Sequence, residues 1–437
     1  MSAAGRCRVV RVDLAKPLAV VPRGGDGDGI QLVFWLDGLP LGRCEVTASE
    51  LPLSVATVAA LASLAVAPAV GARLFTHGFA APMPETVPDV ETVGDLAPLL
   101  ACERPLAALR ERPRLADVGA AVGSAPDPGD VSVVLCTRDR PRELARCLAS
   151  VRSARARPRE ILVVDNASRT DETRRLVATT PDVRYVHEGC PGLAIARNTG
   201  VRETSGAIVA FTDDDVVVDP DWLSRLVPPF AAADVMAVTG LVLPGELESE
   251  AQRMAEERLW SFNREFRPRV FDARYFARLR GRGVPVWHIG AGANMAIRRD
   301  AFARVGLFDE RLGAGAAGCS EDSELWYRLL AEGWRCVYEP AAVVFHFHRA
   351  ELGDLGQQWH AYMRGHVAAL LVQFARYRHW GNVRRIAFQL PFYYAVWLRD
   401  VVRRGWRAEG PLWWAAVSGT VAGVDFYLRH RRVPPVA

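Results

Sequence analysis

Lysine is almost missing from this chain: of 54 basic side chains in 437 residues, Lys16 is the single lysine and the rest are arginine. A surface built for nucleic acid needs a large positive excess, yet the net charge is only +4 and the arginines are interspersed with acids, so no nucleic-acid partner is expected. Paired cysteines are missing too. The eight cysteines are scattered, with no CxxC and no zinc-type spacing, which excludes a zinc ribbon and fits a reducing compartment. No apolar segment of the secretory kind opens the sequence, so the expected location is cytoplasmic. The apolar stretch 51–72 is alanine-rich and interrupted by Pro52 and Pro68, and reads as a helix packed on protein rather than a membrane span. No GxGxxG follows the first strand of the central region, which disfavours a dinucleotide fold of the NAD type.

What is present is ample apolar material, 50% of the residues, enough for two or three domains. Residues 207–222, AIVAFTDDDVVVDPDW, organise the rest. A short apolar run of strand length ends abruptly in Thr212, Asp213, Asp214 and Asp215. Three carboxylates at the carboxyl end of a buried strand repel one another unless a positive charge lies between them, and a hard divalent cation with oxygen ligands supplies it. Mg²⁺ takes few protein carboxylates and completes its shell with water and phosphate oxygens, so the stretch suggests a nucleoside-diphosphate site. A solvated acidic turn before the helix opened by Pro220 is the competing reading.

Around this stretch the chain divides into three expected units. Residues 1–125 form a small α+β accessory unit and a linker rich in Pro, Ala and acids, with strands near 7–14 and 31–36, a turn signal DGLPLG over 37–42 before another strand, and one helix near 99–111. No catalytic constellation stands out there, and the GGDGDG run at 24–29 is too poor in carboxylates for a calcium loop. Residues 126–350 alternate short apolar strands with amphipathic helices, the pattern of βαβ units around a parallel sheet. Polar residues gather at the strand ends: Thr137 and Arg138, Asp165, then Asp213 to Asp215. In open parallel sheets ligands bind outside those ends. Residues 351–437 are helical, with aromatic-rich segments 386–398 and 411–428 flanked by arginines, suited to lying on a bilayer surface, to a homodimer interface or to capping the catalytic domain.

Six segments, VSVVLCTRDRPRELARCLASV, EILVVDNAS, GLAIARNTG, AFTDDDVVVDPDWL, GANMAIRR and SEDSELWYRL, in this order and at these spacings, resemble a family 2 glycosyltransferase. The resemblance covers about residues 130–349. It implies an α/β GT-A fold, a mixed and mostly parallel sheet flanked by helices, and inverting transfer of a sugar from a UDP, GDP or dTDP sugar with Mg²⁺ or Mn²⁺. Carried over position by position, Thr137, Arg138, Asp165, Arg197, Asp213 and Asp214 lie on the donor side and Asp215 on the metal. Asp322, of the Glu321-Asp322 pair that opens a helix, takes the role of base, and the loop ending in Asn294 faces the acceptor. An inverting transfer needs such a base opposite the leaving diphosphate, to accept the acceptor hydroxyl's proton. Acidic residues in a first helical turn also stabilise the helix dipole with no catalysis involved.

His346 and His348 alternate onto one face of a strand; the resemblance to GT-A enzymes implies that one of them completes the metal shell or contacts the diphosphate, and a strand-end histidine satisfied by backbone is the competing reading. Trp260, Phe262, Phe266, Tyr275, Phe276, Trp287 and His288 offer aromatic faces for the acceptor side, with Trp287 and Glu321 placed there, although such rings are core residues more often than ligands. The glycine-rich segment 313–318 has the flexibility of a lid. The acceptor itself, whether a glycan, a lipid-linked molecule or a small molecule, is not written in these motifs. A nucleotidyltransferase lacks support because no basic glycine-rich loop follows the first strand, and a non-catalytic binder would not need the Glu321-Asp322 pair.

Overall fold

The computed structural model describes residues 6–24, 28–76, 126–256, 265–348 and 352–432. The helix expected near 99–111, and Trp260 and Phe262, lie outside them.

Three strands open the chain: β1 (Cys7–Asp13), β2 (Gly29–Leu36) and β3 (Leu39–Val46). β1 runs parallel to β2, and β2 pairs antiparallel with β3. Asp37 and Gly38, both at positive φ, make the two-residue connection that an Asp-Gly pair favours between twisted strands. Helix α1 (Val55–Thr76) covers one face of this sheet, burying Val58, Ala62, Val66 and Val70 against Leu32, Phe34 and Leu41. Among the described residues α1 is the one helix long and apolar enough to cross a membrane, over Val55–Arg73.

From the other face, Val33 and Trp35 enter the core of the large sheet, and Trp35 stacks on Phe345 with ring centres 6.5 Å apart. Arg43 pairs with Glu256 at 2.8 Å and Arg73 with Glu339 at 3.1 Å. The N-terminal unit therefore shares a continuous core with the sheet it leans on.

That sheet has nine strands: β4 (Val131–Thr137), β5 (Glu160–Asn166), β6 (Val183–Glu188), β7 (Ile208–Asp213), β8 (Val216–Val218), β9 (Val235–Pro244), β10 (Arg269–Phe271), β11 (Asn294–Arg298) and β12 (Arg335–His346). Their order is β10-β12-β9-β11-β7-β4-β5-β6, with β8 on β12. The run β7-β4-β5-β6 is parallel throughout, whereas β11 lies antiparallel to both β7 and β9. Side chains alternate along β4: Val131, Val133 and Leu135 join α2 (Pro141–Ser153) and α3 (Glu172–Ala178) on one face, and Val134 joins α4 (Leu193–Glu203) on the other. Pro141 opens α2 at the position where a missing N–H costs nothing, as its sequence suggests. The mixed α/β sheet flanked by helices, the small N-terminal α+β unit and the helical C-terminal region are all present.

After α5 (Glu321–Ala331) and β12, the chain ends in long helices: α6 (Leu352–Tyr377), α7 (Leu390–Arg404) and α8 (Trp406–His430). α8 presses directly onto α6, since a Cβ on Gly419 or Gly423 would lie 2.4 Å from the His360 carbonyl oxygen or 2.6 Å from that of Arg364. A side chain at either position would push the helices apart.

Candidate active site

Register explains why the polar residues converge. Thr137 pairs with Asp165 across β4 and β5, and Cys136 with Asp213 across β4 and β7, so the carboxyl ends of three parallel strands are level. Antiparallel β11 places Asn294 opposite Thr212, which brings the 290–293 loop beside Asp213. β8 lies antiparallel to β12 with Val216 opposite His346, and the Phe347 N–H donates to the Asp215 carbonyl at 3.0 Å. This clamp sets His346 Nε2 3.2 Å from Asp215 Oδ1. The result is a cleft of about 710 Å³ whose walls include Arg140, Arg197, Asp213, Asp215, Trp287, Glu321, Asp322, His346 and His348.

The three aspartates face different surroundings. Asp213 points toward Arg197, whose Nη2 lies 3.3 Å from Asp213 Oδ1. Burial raises its affinity for a proton, against the pull of Arg197. Asp214 turns away from the cleft, accepting from the Thr137 hydroxyl at 2.7 Å and from Arg140 at 3.1 Å, and burial together with Asp215 pushes its carboxyl up to about 6. Burial would raise Asp215 as well, but His346 and Arg140, the latter 3.0 Å from Oδ2, outweigh it and hold the carboxyl well below its ordinary range. Asp215 in turn raises His346 despite that ring's burial.

Arg197, fully buried on α4, bridges Asp213 to Glu321, with which it makes a direct hydrogen bond. Burial pushes Glu321 up to about 7 against that cation, with Asp322 adding to the rise. Glu321 is thus tied to Arg197 at the cleft floor. Its neighbour Asp322 is more open: Oδ2 accepts the Gly292 N–H at 2.8 Å and Oδ1 its own helix's Ser323 N–H at 2.6 Å. Gly292 permits this approach, because a Cβ there would meet Arg197 Nη2 at 2.8 Å and Asp322 Oδ2 at 2.9 Å.

Other expected residues stand apart from the cleft. Asp165 is buried beneath it, accepting from Ser168 and, at 2.8 Å, from the Tyr185 hydroxyl. Arg138 is exposed at the end of β4. Asn294 does not reach the cleft: its Oδ1 accepts from Trp222 Nε1 at 2.8 Å, and its Nδ2 donates to the Leu241 and Ala342 carbonyls at 3.0 and 2.9 Å. A fully buried amide with those bonds is a brace between β11, β9 and β12. His348 lines the cleft 3.4 Å from Glu256, its ring 4.7 Å from that of His346. Of the described aromatics between the acidic motif and α5, Trp287 lines the cleft, whereas Phe276 packs into the core against Tyr327. The segment 313–318 is tied down, its Ala316 and Ala317 carbonyls accepting from Arg364 of α6 and its Ala314 carbonyl from the Leu193 N–H.

Two contributions escaped the sequence reading. Arg140, two residues past the arginine singled out at the end of β4, is the one that meets Asp214 and Asp215. The far wall of the cleft comes from α6, α7 and the turn between them, through Trp359, Tyr362, His366, Arg385 and Tyr393. The arginine flanks of those helices suggested a surface, and no spacing rule places Arg385 beside Trp287.

Carboxylates at the level ends of parallel strands, lining one cleft with Asp322, form the kind of crevice in which open α/β sheets hold ligands. Residues 132–306 match the family model described as Glycosyl transferase family 2, so this central part of the chain is similar to that family. It is 32% identical over 238 residues to a pre-mycofactocin glycosyltransferase of Mycobacterium tuberculosis, an alignment covering 53% of this chain and 45% of that one. It is also 32% identical over 251 residues to a validoxylamine A glucosyltransferase of Streptomyces hygroscopicus subsp. limoneus, covering 51% and 53%. A glucosyl-dolichyl phosphate glucuronosyltransferase of Haloferax volcanii is 28% identical over 190 residues, covering 42% and 57%. The chain thus spans about half the length of the curated relatives it matches. Among solved structures, a mannosyltransferase from Pyrobaculum calidifontis in complex with GDP-Man and Mn²⁺ aligns with a TM-score of 0.45 at 20% identity, covering 75% of this chain and 94% of that one.

Proposed function

We propose that this chain is a metal-dependent inverting glycosyltransferase, moving a sugar from a nucleoside-diphosphate sugar to an acceptor hydroxyl. The observation that carries the reading is that Asp213, Asp215, His346 and Asp322 all line one cleft. Asp215 and His346 would hold Mn²⁺ or Mg²⁺, with Asp213 beside them and His348 next in line. Two hard carboxylates and an imidazole suit such a cation. Among the described residues no three His, Cys, Asp or Glu side chains are grouped so as to hold a metal ion, so the protein's share of the shell would be Asp215 and His346, and water and substrate oxygens would complete it. Bound there, the cation would neutralise the departing diphosphate.

The chain's own groups do the rest. Thr137, Arg138 and Asp165 lie at the strand ends where the nucleoside belongs, and Asp214, locked onto Thr137 and Arg140, stiffens that edge. Arg197 keeps Asp213 and Glu321 in place. Asp322, oriented by two backbone N–H groups, takes the acceptor hydroxyl's proton as that oxygen attacks the anomeric carbon and the bond to the diphosphate breaks. Trp287 provides an aromatic wall for the acceptor, and Asn294 supports the loop from behind.

Replacing Asp322 by Ala tests the assignment. Transfer should fall about 10²- to 10⁴-fold while nucleotide-sugar binding persists. Unchanged transfer discards Asp322 as the base.

The relatives' names speak of small-molecule and dolichyl-phosphate substrates, so either kind of acceptor is open to this chain. Exposed apolar side chains, Phe388, Phe392 and Val396 on α7 and its approach and Trp414, Val421 and Leu428 on α8, support docking of a cytoplasmic enzyme on a lipid surface. Co-sedimentation with anionic vesicles tests it, and concentration-dependent dimerisation without vesicle binding would assign these side chains to a second copy.

A further inference from the structure

Arg385 stands in the far wall of the cleft on a π-helical turn, Arg385–Gln389, between Trp380–Arg384 and α7. Such wide turns interrupt a helix and redirect side chains. The guanidinium lies 4.2 Å over the Trp287 ring, and Trp287 meets the His366 ring edge-on at 4.9 Å. Nε donates to His366 Nε2 at 3.2 Å and Nη1 to Gln389 Oε1 at 3.3 Å. The stem is gripped from behind by Gly283, at φ +78°, where a Cβ would lie 3.2 Å from Arg385 Cβ and Cδ.

What sets this arginine apart is the company it keeps. Arg140, Arg197, Arg311 and Arg328 each meet a carboxylate, and Arg364 turns into backbone carbonyls. Among the described residues Arg385 pairs with no acid, and its acceptors are a neutral amide and an imidazole. Burial, with Arg385 alongside, pushes His366 down to about 3, so the ring stays neutral and can accept from Arg385. Burial lowers Arg385 only to about 10, so it remains a cation at neutral pH. A largely dehydrated guanidinium that faces a cleft and lacks a counter-ion favours an anion from outside, and a bidentate carboxylate or phosphate is its natural partner. The aromatic and apolar surroundings, Trp287, Tyr362, Tyr393 and Leu390, suit a ring or chain attached to that anion.

We propose that the acceptor end of the cleft is an anion subsite, in which Arg385, stacked on Trp287 and braced by Gln389, takes a carboxylate or phosphate carried by the acceptor. The proposal rests on the glycosyltransferase reading for the word acceptor, but the subsite stands on Arg385 itself. Glu321 and Asp322 line another part of the same cleft, where the acceptor hydroxyl would lie.

The test is calorimetric titration of the full chain, preloaded with UDP and Mn²⁺, with phenyl phosphate, benzoate and the neutral benzyl alcohol, and then with dodecyl phosphate. Phenyl phosphate or benzoate should bind saturably and benzyl alcohol far more weakly. Arg385→Gln should weaken the anions about tenfold or more without changing benzyl alcohol, and Arg385→Lys should recover part of the loss. Tighter binding of dodecyl phosphate than of phenyl phosphate supports the subsite with a lipid-borne headgroup, and the reverse order supports it with a small free anion. Equal anion binding by wild type and Arg385→Gln, or no saturable anion binding by wild type, overturns the subsite. UDP affinity measured on the same proteins separates the two readings. If UDP fails to bind while phenyl phosphate still depends on Arg385, the glycosyltransferase reading falls and the subsite stands.

Discussion

On one wall of the cleft Asp213 and Asp215 stand at and just beyond the end of a paired strand, and the ladder of β5-β4-β7 with the β8-β12 clamp fixes where each carboxylate points. On the other wall Trp359, Tyr362, His366, Arg385 and Tyr393 come from helices joined by a π-helical turn, placed by side-chain packing and side-chain hydrogen bonds rather than by a strand ladder. The first wall is rigid because its geometry is that of the backbone. The second can change its lining without touching the sheet, since a substitution on α6 or α7 alters neither register nor strand ends. A donor site common to many enzymes belongs on the first kind of wall and an acceptor site peculiar to one on the second.

Substitutions that probe each wall should differ in size accordingly. The largest expected loss is Arg197→Met, which leaves Glu321 and Asp213 without their shared cation; breaking a buried ion pair from one side costs about 3–5 kcal/mol, measurable by urea unfolding. A loss under about 1 kcal/mol would show that the cleft floor at the strand ends is not held by this arginine. Asn294→Ala comes next. Trp222 Nε1 loses its acceptor and two strand carbonyls lose the amide's N–H donors, a total of about 1–3 kcal/mol, while UDP affinity stays as in wild type. If UDP or acceptor binding changed with stability intact, Asn294 would belong to the site and not to its support.

On the helical wall, Arg364→Met removes the bonds to the Ala316 and Ala317 carbonyls and should cost about 1 kcal/mol. Hydrogen exchange should then rise over residues 313–318, and no change there would mean the loop is held by its own turns. The smallest effect is Phe392→Ser. Its ring is 73% exposed, so stability should stay within about 0.5 kcal/mol while vesicle binding weakens.

The same contrast governs what could be read before the structure. The strand ends were legible because an apolar run that stops in polar residues can stop only at the edge of a sheet, and parallel register then makes those edges level: Thr137, Asp165 and Asp213 follow from that alone. The neighbourhood of Asp322 was legible through the pair that opens α5. Asn294 was placed on the acceptor side by the resemblance of its loop to the family's, and no local pattern tells that its amide folds under β11 rather than out. Arg140 was overlooked because Arg138 also follows the strand, and the chain's turn into α2 decides which of them faces the carboxylates. Arg385 was unreadable for a deeper reason. Its place beside Trp287 depends on two segments a hundred residues apart in sequence and on a helix-to-π-turn change that no periodicity announces.

The central claim is that Asp215 and His346 hold a divalent cation against the diphosphate of the donor. Calorimetric titration of UDP, GDP and dTDP into the full chain, with Mn²⁺ and then with EDTA, and repeated on Asp215→Asn, tests it most directly. The account predicts that at least one nucleotide binds with Mn²⁺, that EDTA abolishes the binding, and that Asp215→Asn weakens it without unfolding the protein. Binding of equal strength in EDTA and in Asp215→Asn, or no binding of any of the three by well-folded wild type, would contradict it.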